Sequence, residues 1–253
     1  MRAELVTPLV LKILKNLVER IMKRLVCLLM CSSAMVFAAN DAVERINEAA
    51  TVFHEINAAP DKGIPRDLIE RAKCVAIIPG VKKGGFVVGA QYGKGVMTCR
   101  VANGWSGPST IRLEGGSIGA QIGAGESDVV LVVLNDKGAR KLMDSKFTIG
   151  GEGAVMAGPV GRDASAKTDA LMTAEILSYA RSRGAFAGIT LNGSTLRPDN
   201  DDNAKIYGKE VSQKDILMGN VAKPASATPL YNALNMLPDD HTSTERSRTT
   251  PKH

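Results

Sequence analysis

CVAIIPGVKKGGFVVGAQYGKGVMTCRV, residues 74–101, decides how this chain folds. The stretch divides into short runs of β-branched and apolar residues that glycine and proline interrupt every few positions, which is typical of strands joined by turns. GWSGPSTIRL (residues 104–113) and VVLVVL (residues 129–134) continue the pattern. We therefore predict an α+β fold, a single domain of mostly antiparallel, Gly-rich strands with a few short helices.

Helices are predicted on both sides of these strands. Asp41 starts the first helix, with Glu44 completing a capping box and an apolar stripe that comprises Val43, Ile46, Ala50, Phe53 and Ile56. Pro65 suits the first position of a second helix. Asn135 or Asp136 caps a third, and further short helices are predicted over residues 201–207 and 212–218.

AEILSYARSRGAFAGITLNGS, residues 174–194, has two interpretations. It can form a helix followed by a strand, or a β-hairpin that turns at residues 181–184. We favour the hairpin because FAGITL ends in the turn signal Asn192-Gly193.

The front of the chain has the features of a secretory leader. Met22-Lys23-Arg24 is a short basic start, an apolar run follows, and Val36-Phe37-Ala38 places the cleavage after Ala38. The apolar run is shorter than a transmembrane helix requires. We predict a leader over residues 1–38 and secretion across the inner membrane to the periplasm or cell envelope. Residues 1–21 are interpreted as an over-extended start, with an amphipathic leader as the alternative.

The predicted organisation continues with one domain over residues 41–218. Beyond Gly219 the chain is polar and rich in proline, serine and threonine, so residues 219–253 are predicted to form a disordered tail.

Four cysteines are present, and two of them fall in the leader. Cys31 is a candidate for lipid attachment, although Met30 before it does not fit the small residue expected there. Cys74 and Cys99 remain after cleavage. They form either a disulfide, as the oxidising compartment permits, or two buried thiols.

The net charge of +6 does not indicate a nucleic-acid partner. The first 24 residues carry six basic and two acidic side chains, so the remainder of the chain is only about +2. Basic residues instead concentrate locally, with eight against three acidic residues between Pro60 and Arg100.

Gly115-Gly116-Ser117-Ile118-Gly119 matches the G-x-S-x-G of a hydrolase nucleophile elbow. A hydrolase of that class requires a histidine after the serine, and both later histidines, His241 and His253, fall in the predicted tail. We predict no enzyme activity, and we expect the glycines to let strands bend and approach one another closely.

DNDDNAKIYGKE, residues 199–210, partly matches a calcium-binding loop. Asp199, Asp201 and Asn203 occupy positions 1, 3 and 5, and Glu210 occupies position 12. Ala204 stands where the loop requires glycine. The alternative is an acidic helix N-terminus, so Ca²⁺ is the single cofactor considered and otherwise none is expected.

PGVKKGGF, residues 79–86, is predicted to be a basic turn beside an exposed aromatic residue. Lys82, Lys83 and Phe86, with Lys94 on the next strand, are candidates for contact with an anionic lipid headgroup. An ordinary solvated turn is the alternative.

Four ordered segments resemble the SYLF-domain family over roughly residues 41–218: DKGIPRDLIERAKCVAIIPGVKKGGFVVGAQYGKGVM, NGWSGPSTIRLEGGSIGAQIGAGESDVVLVVLN, KFTIGGEGAVMAGPVGR and AEILSYARSRGAFAGITLNGS. Eukaryotic members of that family bind phosphoinositides and other acidic lipids, and some bind and bundle actin. The resemblance implies a non-enzymatic, membrane-associated module in which Lys82, Lys83 and Phe86 match the basic turn.

We therefore expect an envelope protein that binds anionic phospholipid. The alternative is a structural or protein-interaction module without specific lipid binding, and calcium dependence of either is a third hypothesis. The actin role is not expected to transfer to a secreted chain of bacterial type.

Overall fold

The computed structural model describes residues 41–58, 63–85, 88–118, 123–150, 155–157, 174–182, 185–186, 191 and 193–236, together with helical residues 16, 19–20 and 22–23. Two compact units are separated at Asp41, and the second extends from Ala42 to His253. Most of the predicted leader, including both of its cysteines, and residues 237–253 lie outside the described residues.

Six α-helices belong to the described part of the second unit. Helix α1 covers residues 41–57, as the capping box predicts. The others are α2 (Arg66–Arg71), α3 (Asp136–Met143), α4 (Asn200–Tyr207), α5 (Gln213–Leu217) and α6 (Thr228–Asn235), with a 3₁₀ turn at Ala225–Ala227. The Asn135 side chain caps α3 by accepting a hydrogen bond from the Gly138 N–H.

Ten strands of the described residues form one sheet. They are β1 (Cys74–Gly85), β2 (Val88–Val101), β3 (Gly104–Trp105), β4 (Ser109–Ile118), β5 (Gly123–Val133), β6 (Phe147–Thr148), β7 (Val155–Ala157), β8 (Ile176–Ser182), β9 (Ala185–Phe186) and β10 (Thr195–Pro198). Their order is β6-β10-β4-β2-β1-β5-β8-β7, with β3 on β2 and β9 on β8. Only the β7–β8 pair is parallel among the described strands. The predicted α+β class is confirmed, and β8 pairs with β9 as the predicted hairpin.

A β-bulge divides the central strand β1 into two halves. The register of β1 with β5 shifts between Ile78 and Val81, where Gly80 has a φ of 55°. We call Cys74–Ile78 and its paired neighbours the proximal half of the sheet. The distal half is Lys82–Gly85 with its neighbours on β2, β4 and β5.

The proximal half is buried on both faces. On one face, which we call the α1 face, strand side chains such as Ile77 and Val130 pack against α1, α2 and α6. On the other, the α3 face, side chains such as Ile78 and Leu131 pack against α3 and α5. Burial on both faces explains why VVLVVL in β5 is continuously apolar rather than alternating.

A disulfide joins β1 to β2 in the proximal half. Cys74 and Cys99 are directly opposite in the register, both are buried, and the structure bonds them. Of the two alternatives considered for this pair, the structure therefore contains the disulfide.

Glycine permits an unusually close approach at Gly95 of β2. A Cβ placed there would contact the Ile77 carbonyl oxygen and would lie 2.7 Å from the Ile78 Cα. Close approach was expected at the glycines around Ser117, and it is confirmed at Gly115, where a Cβ would lie 2.8 Å from the Ser194 Cα.

The disordered tail was predicted to start at residue 219, and this predicted start is too early. Residues up to Met236 are described, and α6 buries Leu230 and Leu234 in the core on the α1 face. The segment was misjudged because its proline, serine and threonine content suggested disorder, whereas Pro229 lies in the first turn of α6, where proline is tolerated.

Candidate functional site

Lys82 and Lys83 lie in strand β1, not in the turn predicted for them. The bulge before Val81 lets β1 continue instead of reversing. Because neighbouring strand residues point to opposite faces, the two lysines are separated by the sheet. Lys82 lies beside Tyr92 and Glu126, and Lys83 lies beside Gln91 and Gly125. Phe86, the aromatic residue predicted to accompany them, lies outside the described residues.

Lys83 occupies the α3 face and is half-buried. Burial lowers the pKa of its ammonium group, since the charged form loses contact with water. Its cross-strand neighbour Gln91 is buried and donates a hydrogen bond to the Ser194 hydroxyl. Lys83 therefore belongs to a partly covered surface.

Lys82 occupies the α1 face and is exposed beside an exposed tyrosine. Tyr92 keeps 46% of its surface accessible, which makes it one of four large hydrophobic residues exposed among those described. Glu126 is opposite Lys82 in the register, but its carboxylate lies over Gly80, where a Cβ would be 2.6 Å from Oε1. Tyr92 was not predicted as a site residue, although strand alternation places it on the same face as Lys94.

Lys94, also predicted to contact lipid, is held in an ion-pair cluster. Its Nζ lies 2.7 Å from Asp199 Oδ2 and 3.0 Å from Asp202 Oδ2. Arg45 of α1 reaches the same Asp202 oxygen at 2.7 Å, and Lys205 reaches the other at 2.8 Å. Lys94 thus serves mainly to bind α4 to the sheet, and it adds little free charge for a ligand.

Asp202 is the centre of this cluster. Its burial favours the neutral acid, but hydrogen bonds from Lys205 and Lys94 and the charge of Arg45 outweigh it and hold the pKa of the carboxyl far below its usual range. The side chain is 6% exposed, so the carboxylate is a buried counterion that depends on these cations.

Two arginines, which the sequence analysis also missed, extend the α1 face beyond Lys94. Arg112 of β4 is directly opposite Lys94, and Arg197 of β10 is directly opposite Arg112. Residues directly opposite in an antiparallel pair point to the same face. The distal edge of the α1 face therefore combines exposed Lys82 and Tyr92 with these two arginines.

The four predicted calcium ligands do not form a loop. Asp199 precedes α4 and pairs with Lys94, and the buried Asn203 amide oxygen accepts a hydrogen bond from the Thr110 N–H at 2.7 Å. Asp201 and Glu210 both line a cavity of about 570 Å³ near Gln213. Within the described ranges, no three His, Cys, Asp or Glu side chains are grouped so as to hold a metal ion. The acidic pattern fits the alternative, since Asp201 and Asp202 lie in the first turn of α4.

Ser117 lies within strand β4, opposite Gly89. A nucleophile elbow requires a sharp turn from strand to helix, and β4 continues through this serine to Ile118. Gly115 and Gly116, which precede it, are residues of the same strand. Separately, none of the helices in the described part of the chain is both long and apolar enough to cross a bilayer.

Comparisons with known proteins identify relatives of this chain. The model of the family described as "Ysc84: Las17-binding protein actin regulator" matches residues 114–237, a range that includes α4, α5 and α6. The chain is 38% identical over 187 residues to SH3 domain-containing YSC84-like protein 1 of Rattus norvegicus, covering 72% of this chain and 55% of the relative. It is 35% identical over 191 residues to the protein of that name from Xenopus laevis, covering 74% and 57%.

A yeast relative carries a different name. LAS seventeen-binding protein 3 of Saccharomyces cerevisiae is 36% identical over 179 residues, covering 69% of this chain and 39% of the relative. The chain thus spans about half the length, or less, of the curated relatives it matches.

Proposed function

The chain belongs to the SYLF-domain family, which the Ysc84 description also denotes, and on that premise we propose that it is a non-enzymatic envelope protein that binds anionic phospholipid through the distal half of its sheet. The observation that carries this proposal is the exposed pair Lys82 and Tyr92 on the α1 face. An exposed aromatic ring beside a lysine suits the boundary between headgroups and water, where the ring is buried shallowly and the ammonium group meets phosphate.

The charges near Lys82 support the same proposal. Glu126, opposite Lys82, has its carboxylate over Gly80, and Glu114, opposite Tyr92, lies 3.9 Å from Arg112. Arg112 and Arg197 add positive charge on the same face. The surrounding strand positions are small, including Gly84, Ala90 and Gly116, all of them exposed. A flat surface of this kind lets a membrane approach the sheet closely.

Secretion is part of the proposal. A disulfide persists in oxidising compartments and is rare in the cytosol, so the Cys74–Cys99 bond supports the leader predicted for residues 1–38. The bond is consistent with a periplasmic or envelope location.

The two lysines provide a matched test. Residues 39–253, the form that the predicted cleavage leaves, are sedimented with vesicles of phosphatidylcholine alone or mixed with phosphatidylglycerol, at low and at high salt. We expect binding only to the anionic vesicles and its loss at high salt. Lys82→Gln should weaken binding about fivefold, the value of one basic residue near such a surface.

Lys83→Gln is the control because it makes the same charge change on the opposite face, and it should alter binding less than twofold. Equal losses in the two variants would show that net charge and not the α1 face determines binding. An absence of binding by well-folded protein to either vesicle would overturn the proposal.

Protein binding is the second candidate function. The printed names of the family and of the yeast relative describe binding to Las17. If the protein does not bind vesicles, the same exposed surface around Tyr92 is the region to test for binding to envelope proteins. Tyr92→Ala is the variant expected to lose that binding.

A further inference from the structure

Cations occupy three neighbouring strands of the α1 face. Arg197, Arg112 and Lys94 are in register on β10, β4 and β2. Adjacent strands lie about 4.8 Å apart, so each charge faces a like charge directly. Such an arrangement is destabilising unless anions neutralise it.

The carboxylates of the domain neutralise only part of this row. The ion-pair cluster and the row together hold five cations, Arg45, Lys94, Arg112, Arg197 and Lys205, and three carboxylates, Asp199, Asp202 and Glu114. Lys94 and its partners use both aspartates, and Glu114 is the one carboxylate left for the row. Two positive charges therefore remain in excess.

Among these five cations, Arg112 and Arg197 have no hydrogen-bond acceptor among the described residues close to their guanidinium groups. Arg112 Nε is buried and makes no hydrogen bond, with Glu114 Oε1 at 3.9 Å and Asp199 Oδ2 at 4.0 Å. Arg197 is exposed and has no ion pair within the described part of the chain. A guanidinium group presents parallel N–H donors that match phosphate oxygens, which makes phosphate the anion that suits two adjacent forks.

We propose that Arg112 and Arg197 form a phosphate-binding subsite of the lipid surface, and that with Lys82 they select lipid headgroups carrying two phosphates. This inference rests on the proposed function. Lys82 on β1 is level with Tyr92 on β2 and Glu114 on β4, and Arg112 lies two residues away along β4, so Lys82 and Arg112 are roughly 12 Å apart across the sheet. One phosphate contacts the arginine pair, the second contacts Lys82, and the linking glycerol lies over the tyrosine ring.

Vesicle composition tests this selection. Residues 39–253 are titrated with phosphatidylcholine vesicles containing either phosphatidylglycerol or cardiolipin, matched for total phosphate charge. We expect about fivefold tighter binding to the cardiolipin vesicles, corresponding to one additional basic contact. Equal binding to the two compositions would overturn the inference while leaving the proposed function intact, and binding to neither would overturn both.

Arginine variants test the subsite. The double variant Arg112→Lys/Arg197→Lys keeps both charges but removes the planar guanidinium groups. It should abolish the preference for cardiolipin, while binding to phosphatidylglycerol vesicles should change less than twofold. Arg140→Lys, the same exchange at an exposed arginine of α3, is the matched control on the opposite face and should keep the preference. A lysine double variant that keeps the preference would contradict the assignment.

Inorganic pyrophosphate distinguishes a lipid from a free phosphate ligand. If the subsite serves a lipid, pyrophosphate should compete for the cardiolipin vesicles only weakly, because it lacks the apolar contact with the bilayer. Tight pyrophosphate binding that depends on both arginines, without any vesicle preference, would assign the site to a soluble phosphate compound and overturn the lipid inference. Thermal unfolding of each variant shows whether it folds.

Discussion

The two halves of strand β1 belong to one strand but have opposite chemistry. Before the bulge, Cys74–Ile78 is apolar, buried on both faces and bonded to β2 by a disulfide. After it, Lys82–Gly85 is charged or glycine, and its neighbours on β2, β4 and β5 are largely exposed. The bulge at Gly80 is the point at which the strand changes from holding the domain together to presenting a surface.

The side chains of the distal half are largely exposed even though its strands are paired. β1 remains hydrogen-bonded to both β2 and β5 through Gly85. A surface built on paired strands is rigid, and rigid elements hold binding groups more accurately than loops do. Mutations in the proximal half should therefore affect stability, and mutations in the distal half should affect binding.

Among the features of the proximal half, the disulfide is expected to contribute most to the stability of the domain. Its two cysteines are 25 residues apart, and closing a loop of that length should stabilise the domain by about 3–4 kcal/mol. Cys74→Ala/Cys99→Ala should lower the free energy of unfolding by that amount, as measured by urea denaturation. Reductant should weaken the wild type similarly and leave the variant unchanged. A wild type insensitive to reductant under unfolding conditions would contradict this expectation.

A pair of glycine substitutions sharpens the contrast between the halves. Gly95→Ala, next to the bulge, places a methyl group against the backbone of β1 and should destabilise the domain by about 2–3 kcal/mol. Gly84→Ala, in the distal half, meets no atom within 4 Å and should change stability by less than about 0.5 kcal/mol. Thermal unfolding of both variants measures the difference. Equal effects would mean that the two halves are equally tightly packed.

The ion-pair cluster between the halves should make stability depend on pH. The pKa of Asp202 is lowered in the folded state, so its contribution is present above the ordinary carboxyl pKa of about 4 and is lost as the pH falls below that value. Asp202→Asn should cost about 2 kcal/mol at pH 7, because it leaves Arg45 and Lys94 without their shared partner. The difference between the denaturation curves of variant and wild type should shrink steadily as the pH falls below about 4 toward the lowered folded-state pKa. A constant difference at all pH values would contradict the assignment.

Much of the fold could be predicted from local patterns. The capping box at Asp41, the turn signals and the alternation of apolar runs indicated α1, the hairpin of β8 with β9 and the α+β class. Helix α6 was missed because the two prolines, the serine and the threonine of KPASATPL (residues 223–230) outweighed the apolar residues Leu230 and Leu234. These leucines are buried only through contacts with distant elements.

The candidate site was predictable only in part. Lys82 was identified from its neighbours in sequence, but the face of the sheet that it occupies depends on the bulge, which shifts the register by one residue. Arg112 and Arg197 are 85 positions apart in the chain and meet only through strand pairing. No single-sequence pattern indicates which strands become neighbours, so the arginine pair could not be foreseen.

The position of α1 has a consequence for the order in which the chain folds. This first helix of the domain buries Ile46 in the same core as Leu230, and Arg45 pairs with Asp202, more than 150 residues later. Contacts this distant in sequence make folding slow, because a long loop must close before they form. We expect α1, although it precedes every strand of the domain in the chain, to be among the last elements to reach its native place.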